Sequence, residues 1–186
     1  MCKRIWTLVL TVLPFVVHGQ DSKRTYDSYD GLVMTGYQGW FGAPDDGAGR
    51  GWYHYTGKDG FKPGSCSVDY WPEVSEYTKL YETEFKFSDG TPAYTFSSYD
   101  FSTTDLHFLW MKEYGIDGAF MQRFISEFKR PKSKAHLDHV LQSAMICAEN
   151  YSRTISVMYD LSGMRPGDEE VLFDDIDQLE KEYGMK

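Results

Sequence analysis

The sequence predicts an α/β fold, namely a partial (β/α)8 TIM-type barrel with about four βα units. Short strand-like runs alternate with helical patterns from Gly31 onwards. Two helical patterns end on the same three residues, Glu113-Tyr114-Gly115 and Glu182-Tyr183-Gly184, which indicates a repeated unit. Residues 31–186 are fewer than the roughly 250 residues of a closed eight-stranded barrel. We therefore expect residues 31–186 to form the N-terminal half of such a domain.

The N-terminus has the pattern of a secretory signal peptide over residues 1–20. Lys3 and Arg4 precede an apolar run over residues 5–17, and a small residue, Gly19, follows. The run is shorter than the roughly 20 apolar residues of a membrane-spanning helix, and Pro14 interrupts it. We expect a protein that is secreted, periplasmic or on the cell surface, without membrane association once the signal is removed. Residues 21–30 are then a short lead-in.

The first predicted strand covers residues 32–37, and a segment rich in Gly, Asp and aromatic residues follows over 39–72. A loop of this length within a compact domain is usually functional. The second core strand is predicted at Tyr94–Asp100. Residues 80–87 are predicted to form an additional hairpin or an extended arm that ends at the turn Ser88-Asp89-Gly90.

The first predicted helix begins at Ser102-Thr103-Thr104-Asp105, which matches a capping box. Gly115 is placed to end this helix, because glycine tolerates the left-handed conformation found there. The spacing of three and four residues predicts that one apolar face packs inwards. That face consists of Leu106, Leu109, Trp110 and Tyr114.

Two further βα units are predicted in the second half of the chain. They comprise a strand over 118–124, a helix over 133–151, a strand over 155–160 and a last helix opened by Asp168. The longer helix has Leu137, Val140, Leu141, Ala144, Met145 and Ala148 on one side, and the last helix carries Leu172, Ile176, Leu179 and Tyr183.

No fifth strand follows Gly184, so an unpaired strand edge and an apolar sheet face are left uncovered. Three explanations stay open, in order of preference. The chain is a fragment of a larger barrel, a half-barrel that self-associates through its open edge, or a small open sheet.

Charge and cysteine content restrict the class of protein. The chain has 28 acidic and 19 basic residues, a net charge of −9, which disfavours nucleic acid as a partner. Cys66 and Cys147 remain after cleavage, either paired or as thiols, and the helical position of Cys147 beside Ala144 favours thiols. The sequence predicts no cofactor. Asp45 and Asp46 lack the pattern of a calcium loop, so no metal is predicted either.

The predicted strand ends bring polar side chains next to aromatic ones. Because the carboxyl ends of parallel strands share one rim of a barrel, these groups are expected to converge. Sugars present hydroxyl groups at the ring edge and C–H groups on the faces, which carboxylates, amides, Arg and flat rings complement. The predicted substrate-binding residues at strand ends are Tyr37, Gln38, Trp40, Asp100, Gln122, Arg123, Tyr159 and Asp160.

Each of these residues alone also has a structural explanation. Asp100 could cap the next helix, Arg123 could pair with Asp160, and Tyr159 could belong to the core. The long first loop adds Trp52 and Trp71 as predicted stacking surfaces for sugars. It also adds His54, which could carry a proton, donate to a hydroxyl group or serve the structure.

Glycoside hydrolysis usually needs two carboxyl groups about 5 to 9.5 Å apart. Asp100 and Asp160 are the acids at predicted strand ends, and they are the weak candidates for catalysis. Either these two bracket a bound sugar, or both hold hydroxyl groups while the catalytic pair lies on strands that this chain lacks. We favour the second alternative.

A set of short motifs, taken together, resembles the N-terminal half of bacterial glycoside hydrolase family 71/99-like proteins, some of which are named xylosidase or arabinosidase. The motifs are Gly36-Tyr37-Gln38-Gly39-Trp40-Phe41, Gly51-Trp52-Tyr53-His54, Asp69-Tyr70-Trp71-Pro72, Phe96-Ser97-Ser98-Tyr99-Asp100, Gly115-Ile116-Asp117-Gly118 with Gln122-Arg123, and Met158-Tyr159-Asp160-Leu161-Ser162-Gly163. The similarity extends from about Gly31 to the C-terminus.

The resemblance implies a (β/α)8 barrel that hydrolyses a polysaccharide or glycan. Family 99 contains endo-acting mannosidases and mannanases, and family 71 contains α-1,3-glucanases. The catalytic glutamates of family 99 come late in the barrel and have no counterpart before Lys186, so what carries over is the first half of the sugar-binding cleft. A non-catalytic carbohydrate-binding protein and a half-barrel subunit of an oligomer are the alternatives.

Overall fold

The computed structural model describes residues 26–184. The predicted signal peptide and the first residues of the lead-in lie outside the described residues. The elements in chain order are β1 (Met34–Tyr37), β2 (Tyr81–Lys86), β3 (Pro92–Thr95), α1 (Phe101–Glu113), β4 (Gly118–Phe124), α2 (Ile125–Phe128), α3 (Pro131–Tyr151), β5 (Thr154–Asp160) and α4 (Glu169–Tyr183). The predicted α/β class is confirmed.

A three-stranded parallel sheet in the order β1-β4-β5 forms the centre of the fold. Tyr37 lies opposite Met121 in the β1–β4 pair, and Phe124 lies opposite Asp160 in the β4–β5 pair. A helix follows each of these three strands, as expected for βα units, but the β2–β3 hairpin comes between β1 and α1. The described residues therefore contain three such units rather than about four, and their sheet is open.

The predicted second core strand is wrong. Within Tyr94–Asp100, only the first two residues belong to a strand, β3, which pairs antiparallel with β2 and stays outside the parallel sheet. The hairpin predicted around residues 80–87 is confirmed as this β2–β3 pair. Alternating apolar and polar residues predict a strand but leave its pairing partner undefined, because the alternation is common to parallel and antiparallel strands.

Helix α1 begins one residue earlier than predicted and without the capping box. Asp100 is its N-cap residue but makes no capping hydrogen bond through its side chain. The helix buries Phe108 and Met111 rather than the predicted face, and Tyr114 is 77 % exposed. Leu106, Leu109 and Trp110 are only half-buried. Gly115, with a φ of +73°, follows the helix as predicted.

Helix α3 contributes more buried residues to the main core than any other element. It buries the predicted face, of which only Met145 is partly exposed. The main core contains Tyr37, Phe108, Met111, Ala119, Met121, Val140, Leu141, Ala144, Cys147, Ala148 and Leu179. Cys147 is fully buried and Cys66 is exposed, and both are free thiols, so the preference for unpaired cysteines is confirmed.

Helix α4 packs on the same face of the sheet as α3, through Leu179 and Asp175, and it follows Asp168, as predicted. Asp168 accepts a hydrogen bond from the backbone N–H of Arg165 at 2.9 Å and pairs with Lys129 at 2.5 Å. Leu179 is buried, whereas Phe173 is 61 % exposed and Ile176 is 40 % exposed. Two apolar side chains of α4 therefore remain exposed to solvent.

The aromatic residues of the long first loop form a second packed cluster. Tyr55 and Phe61 stack with ring centroids 5.2 Å apart, and Trp71 stacks on Phe61 at 6.0 Å. The hydroxyl of Tyr55 donates to the carbonyl of Phe96 at 2.9 Å, which fixes the loop to the end of β3. Much of the aromatic content of this segment therefore stabilises the loop itself.

Candidate functional site

The two faces of the parallel sheet have different roles. Met121 and Val157 point towards the helices, because they pack in the main core. Successive side chains of a strand alternate between the faces. Gln122, Phe124 and Asp160 therefore point to the opposite face, where the amide of Gln122 donates to Asp160 Oδ2 at 2.7 Å. We call the edge of this face at the carboxyl ends of the strands the rim.

Trp40, three residues after β1, lies at the centre of this rim. Its indole stacks on His54 with centroids 4.1 Å apart and planes 15° apart. It also stacks on Phe124, the last residue of β4, at 5.4 Å and 22°. His54 has a φ of +60°, so the loop holds its ring against Trp40 through a left-handed backbone turn. We call Trp40, His54, Phe124, Gln122 and Asp160 the rim cluster.

A cavity of about 470 Å³ adjoins the rim cluster and is lined by Arg50, Trp52, Tyr53, His54, Thr56 and Ser67. The guanidinium of Arg50 lies 4.1 Å from the ring centroid of Tyr53, and its Nη2 donates to the carbonyl of Trp40 at 2.9 Å. The hydroxyl of Tyr53 donates to Glu127 Oε2 at 2.7 Å. The cavity thus combines two aromatic rings, an imidazole and a guanidinium.

The rim carboxylates are ionised at neutral pH. Burial alone would raise the pKa of Glu127, but hydrogen bonds from Tyr53 and Ser133, together with the charges of Arg130 and Arg50, lower it below its ordinary value. Hydrogen bonds from Ser162 lower the pKa of Asp160, and the hydrogen bond from Gln122 adds to this effect. Burial lowers the pKa of His54, with Glu127 opposing this effect. His54 is therefore neutral at neutral pH.

Tyr37, Arg123 and Tyr159, three of the predicted binding residues, face the helices instead of the rim. Arg123 is 1 % exposed, and its Nε donates to Asp175 Oδ2 at 2.8 Å. Tyr159 donates to the same Asp175 oxygen at 2.8 Å. These contacts assign Arg123 and Tyr159 to the packing of β4 and β5 against α4, and they remove the predicted Arg123–Asp160 pair.

Tyr37 and its partners form a hydrogen-bonded chain behind the sheet. The hydroxyl of Tyr37 lies 2.9 Å from His107 Nδ1, and that of Tyr77 lies 2.6 Å from His107 Nε2. Burial lowers the pKa of His107 to about 4, so the imidazole is neutral, with one nitrogen donating and the other accepting. Tyr37 therefore has a structural partner in the core.

Asp100 and Trp71 also lie away from the rim cluster. Asp100 pairs with Lys79 and accepts a hydrogen bond from the hydroxyl of Tyr81 at 2.8 Å, which ties the hairpin to the start of α1. The indole of Trp71 donates to the carbonyl of Tyr94 at 2.8 Å inside the aromatic loop cluster. Gln38 is exposed at the end of β1, and Trp52 lines the cavity.

Arg50, Tyr53 and Glu127 were missed by the sequence argument. Glu127 follows the last residue of β4 by only three positions, so a search extended past the strand end would have included it. Arg50 and Tyr53 reach the rim through the irregular loop, where no periodicity reports the side-chain direction. Their approach to the strand ends is a property of the fold alone.

Two further kinds of feature concern this site, metal-binding groups and membrane-spanning helices. Within residues 26–184, no three or more His, Cys, Asp or Glu side chains are grouped so that they could hold a metal ion. No helix in the described part of the chain has the length and apolar character needed to span a bilayer.

No family model, curated protein or solved structure matches this chain. A functional conclusion therefore has to come from the chemistry of the rim cluster and the cavity beside it. That chemistry combines aromatic rings with fixed hydrogen-bonding groups, and it suits a ligand that has both apolar faces and polar edges.

Proposed function

We propose that this chain belongs to a secreted carbohydrate-active protein of the glycoside hydrolase type and that its rim cluster binds a sugar. The observation that carries the proposal is the stack of Trp40 with His54 and Phe124 beside the Gln122–Asp160 pair. The C–H faces of a sugar ring pack against aromatic rings, while its hydroxyl groups exchange hydrogen bonds with amides and carboxylates.

The polar pair is suited to holding sugar hydroxyl groups. Asp160 Oδ1 accepts from the backbone N–H of Ser162 and Oδ2 accepts from Gln122, both at 2.7 Å. A carboxylate has about four acceptor positions, so Asp160 can accept further hydrogen bonds. Because two contacts already fix its orientation, little side-chain entropy is lost when a ligand binds.

We also propose that the three parallel strands are consecutive strands of a (β/α)8-type barrel. The order of the strands in the sheet, β1-β4-β5, is also their order along the chain, and a helix follows each of them. The sheet face that carries Gln122 and Asp160 would line the inside of such a barrel. This arrangement supports the resemblance to glycoside hydrolase family 71/99-like proteins.

The unpaired edge of β1 is a second surface on which we expect a partner to bind. Beside it lies a mainly apolar groove of about 340 Å³, whose lining includes Tyr37, Trp40 and Trp110. As the alternative to a sugar at Trp40, we propose that a second copy covers this groove, since α4 presents exposed Phe173 and Ile176. Sedimentation velocity would then give a mass that rises with protein concentration, and a constant monomer mass would reject the proposal.

The charge state of the rim favours binding over catalysis by these residues. A glycosidase general acid needs a raised pKa, whereas the pKa values of Glu127 and Asp160 are both lowered. A non-catalytic carbohydrate-binding protein is therefore the second candidate function. Release of reducing sugar from a polysaccharide panel would separate the two, because the binding protein retains glycans without cleaving them.

Replacing Trp40 with alanine is expected to weaken oligosaccharide binding by roughly tenfold, because it removes the central ring of the rim cluster. Isothermal titration calorimetry measures the effect against a panel of neutral and acidic oligosaccharides. Tyr70→Ala is the matched control, since Tyr70 is an aromatic residue that is 89 % exposed. Trp52→Ala provides a second test at the edge of the cavity, and circular dichroism verifies that each variant is folded.

Equal affinities for wild type, Trp40→Ala and Trp52→Ala, all folded, would contradict the sugar-binding rim.

A further inference from the structure

The cavity beside the rim cluster contains a cation without an anionic partner. Within residues 26–184, no carboxylate oxygen lies within 4.0 Å of the Arg50 guanidinium, and Arg50 is half-buried. Its only hydrogen bond to a described residue is from Nη2 to the carbonyl of Trp40. A guanidinium withdrawn from water is favourable only when negative or strongly accepting groups meet it.

The carboxylates near Arg50 are already engaged with other donors. Glu127 is held by Tyr53 and Arg130. Asp46 accepts from the backbone N–H groups of Ala43 and Ala48 at 3.0 and 2.8 Å. Neither carboxylate forms a hydrogen bond with Arg50, so the positive charge remains directed at the cavity.

Hydrogen-bond donors are also in surplus at this place. Arg50 Nε and Trp40 Nε1 are both buried without a partner in the described residues. Buried donors without acceptors are rare in folded proteins, and a group of them calls for an explanation. Because both atoms are closed off from the cavity as well, a ligand would meet the other nitrogen atoms of the Arg50 guanidinium, which lines the cavity.

Further positive charge surrounds the cavity, although the whole chain has a net charge of −9. Arg130 acts electrostatically on both Arg50 and His54. The ammonium group of Lys132 lies 3.2 Å from the carbonyl of Gly49, next to Arg50 in the chain. Glu127 and Asp46 oppose this charge, so the three cations and two carboxylates leave one net positive charge beside the cavity, which attracts anions.

We infer that the cavity lined by Arg50, Trp52 and His54 binds the anionic group of an acidic sugar, either a uronate carboxylate or a sulfate ester. The inference rests on the proposed sugar-binding function and specifies its substrate class. Arg50 is held over the Tyr53 ring, which positions its planar fork for an anionic oxygen pair. The sugar ring then extends from the cavity towards Trp40.

The test is calorimetric titration of the full chain with uronate oligosaccharides, their methyl esters, sulfated oligosaccharides and neutral oligosaccharides. The methyl ester keeps the sugar ring and removes the charge, so it isolates the anionic contact. We expect uronate or sulfated oligomers to bind roughly tenfold more tightly than uncharged ones, and this preference to weaken as salt increases. A stronger response to sulfated sugars identifies the anion as sulfate, and a stronger response to uronates as carboxylate.

Arg50→Gln is expected to abolish the preference while binding of neutral sugars persists. Arg50→Lys keeps the charge but loses the fork, and an intermediate preference is expected. Lys86→Gln removes one positive charge from an exposed position of the hairpin and serves as the control. Circular dichroism and thermal melting establish that the variants are folded.

The possible failures are distinguishable. Equal binding of charged and uncharged sugars, or a preference that survives in folded Arg50→Gln, overturns this inference and leaves the proposed function standing. No binding of any oligosaccharide by the folded wild type overturns both.

Discussion

Arg123→Met is expected to lower the free energy of unfolding by about 3–5 kcal/mol. Arg123 lies between Asp175 and Asp138, with Nη2 donating to Asp138 Oδ1 at 2.7 Å. The side chain of Asp175 is 0 % exposed and that of Arg123 is 2 % exposed. Removing the guanidinium leaves a buried carboxylate with its charge uncompensated, which is far more costly than losing an exposed ion pair.

Urea unfolding followed by circular dichroism measures this change. Arg130→Met is the matched control, because Arg130 pairs with Glu127 while its own side chain is 57 % exposed, and a loss of less than about 1 kcal/mol is expected there. The double variant Arg123→Met with Asp175→Leu should lose less than the sum of the single variants, since it removes both charges. A loss of less than about 1 kcal/mol for Arg123→Met would show that the buried ion pairs do not hold α3 and α4 to β4.

Stability is expected to fall steeply between pH 6.5 and pH 4, because of two buried histidines. Burial lowers the pKa of His107 from 6.5 to about 4, and burial with the nearby Arg50 lowers that of His136 to about 4. Below pH 6.5 the unfolded chain binds protons that the folded chain does not bind until about pH 4. Each histidine therefore contributes roughly 3 kcal/mol above pH 6.5 that is lost by pH 4.

Urea midpoints measured from pH 7.5 down to pH 4.5 test this expectation. His107→Gln should be less stable at pH 7.5, since the contacts with Tyr37 and Tyr77 are weakened, and its stability should depend less on pH. A wild-type free energy of unfolding that stays constant from pH 7.5 to pH 4.5 would contradict the neutral, buried imidazoles.

The sequence predicted the second half of the fold better than the first. The helix that became α3 was predicted to within two residues of its start, because its apolar residues recur at helical spacing over about three turns. The strand at 118–124 was predicted with both ends correct. Gly115 marked the end of α1 through its left-handed conformation, and Asp168 stands at the start of α4, although its side chain makes no capping hydrogen bond.

In the first half of the chain, the predictions failed where the structure depends on tertiary contacts. Residues 94–100 have the composition of a strand, but only contact with β2 makes β3 antiparallel. The face of α1 was assigned to Leu106 and Trp110, whereas packing against α3 buries Phe108 and Met111 instead. Adjacent apolar residues in a short helix allow more than one buried face, and the neighbouring elements decide between them.

About half of the predicted binding residues lie together at the rim, for a reason that the strand geometry explains. Gln122 and Arg123 are adjacent in β4 and cannot face the same side of a sheet, because side chains alternate. The same holds for Tyr159 and Asp160 in β5. Gln122 and Asp160 meet at the rim, while Arg123 and Tyr159 meet at Asp175 behind it. Alternation alone predicts that only one residue of each pair faces a ligand. To say which one, it must be known which face of the sheet the helices cover.

The most direct test of the sugar-binding rim is an NMR titration with uronate, sulfated and neutral oligosaccharides that follows the tryptophan indole N–H signals. Trp40 belongs to the rim and Trp52 lines the cavity, whereas Trp71 donates to the carbonyl of Tyr94 in the aromatic loop cluster. We predict that the signals of Trp40 and Trp52 shift in a saturable manner while that of Trp71 stays in place. A shift confined to Trp71, or no shift with any of these sugars, would contradict a sugar site at the carboxyl ends of the parallel strands.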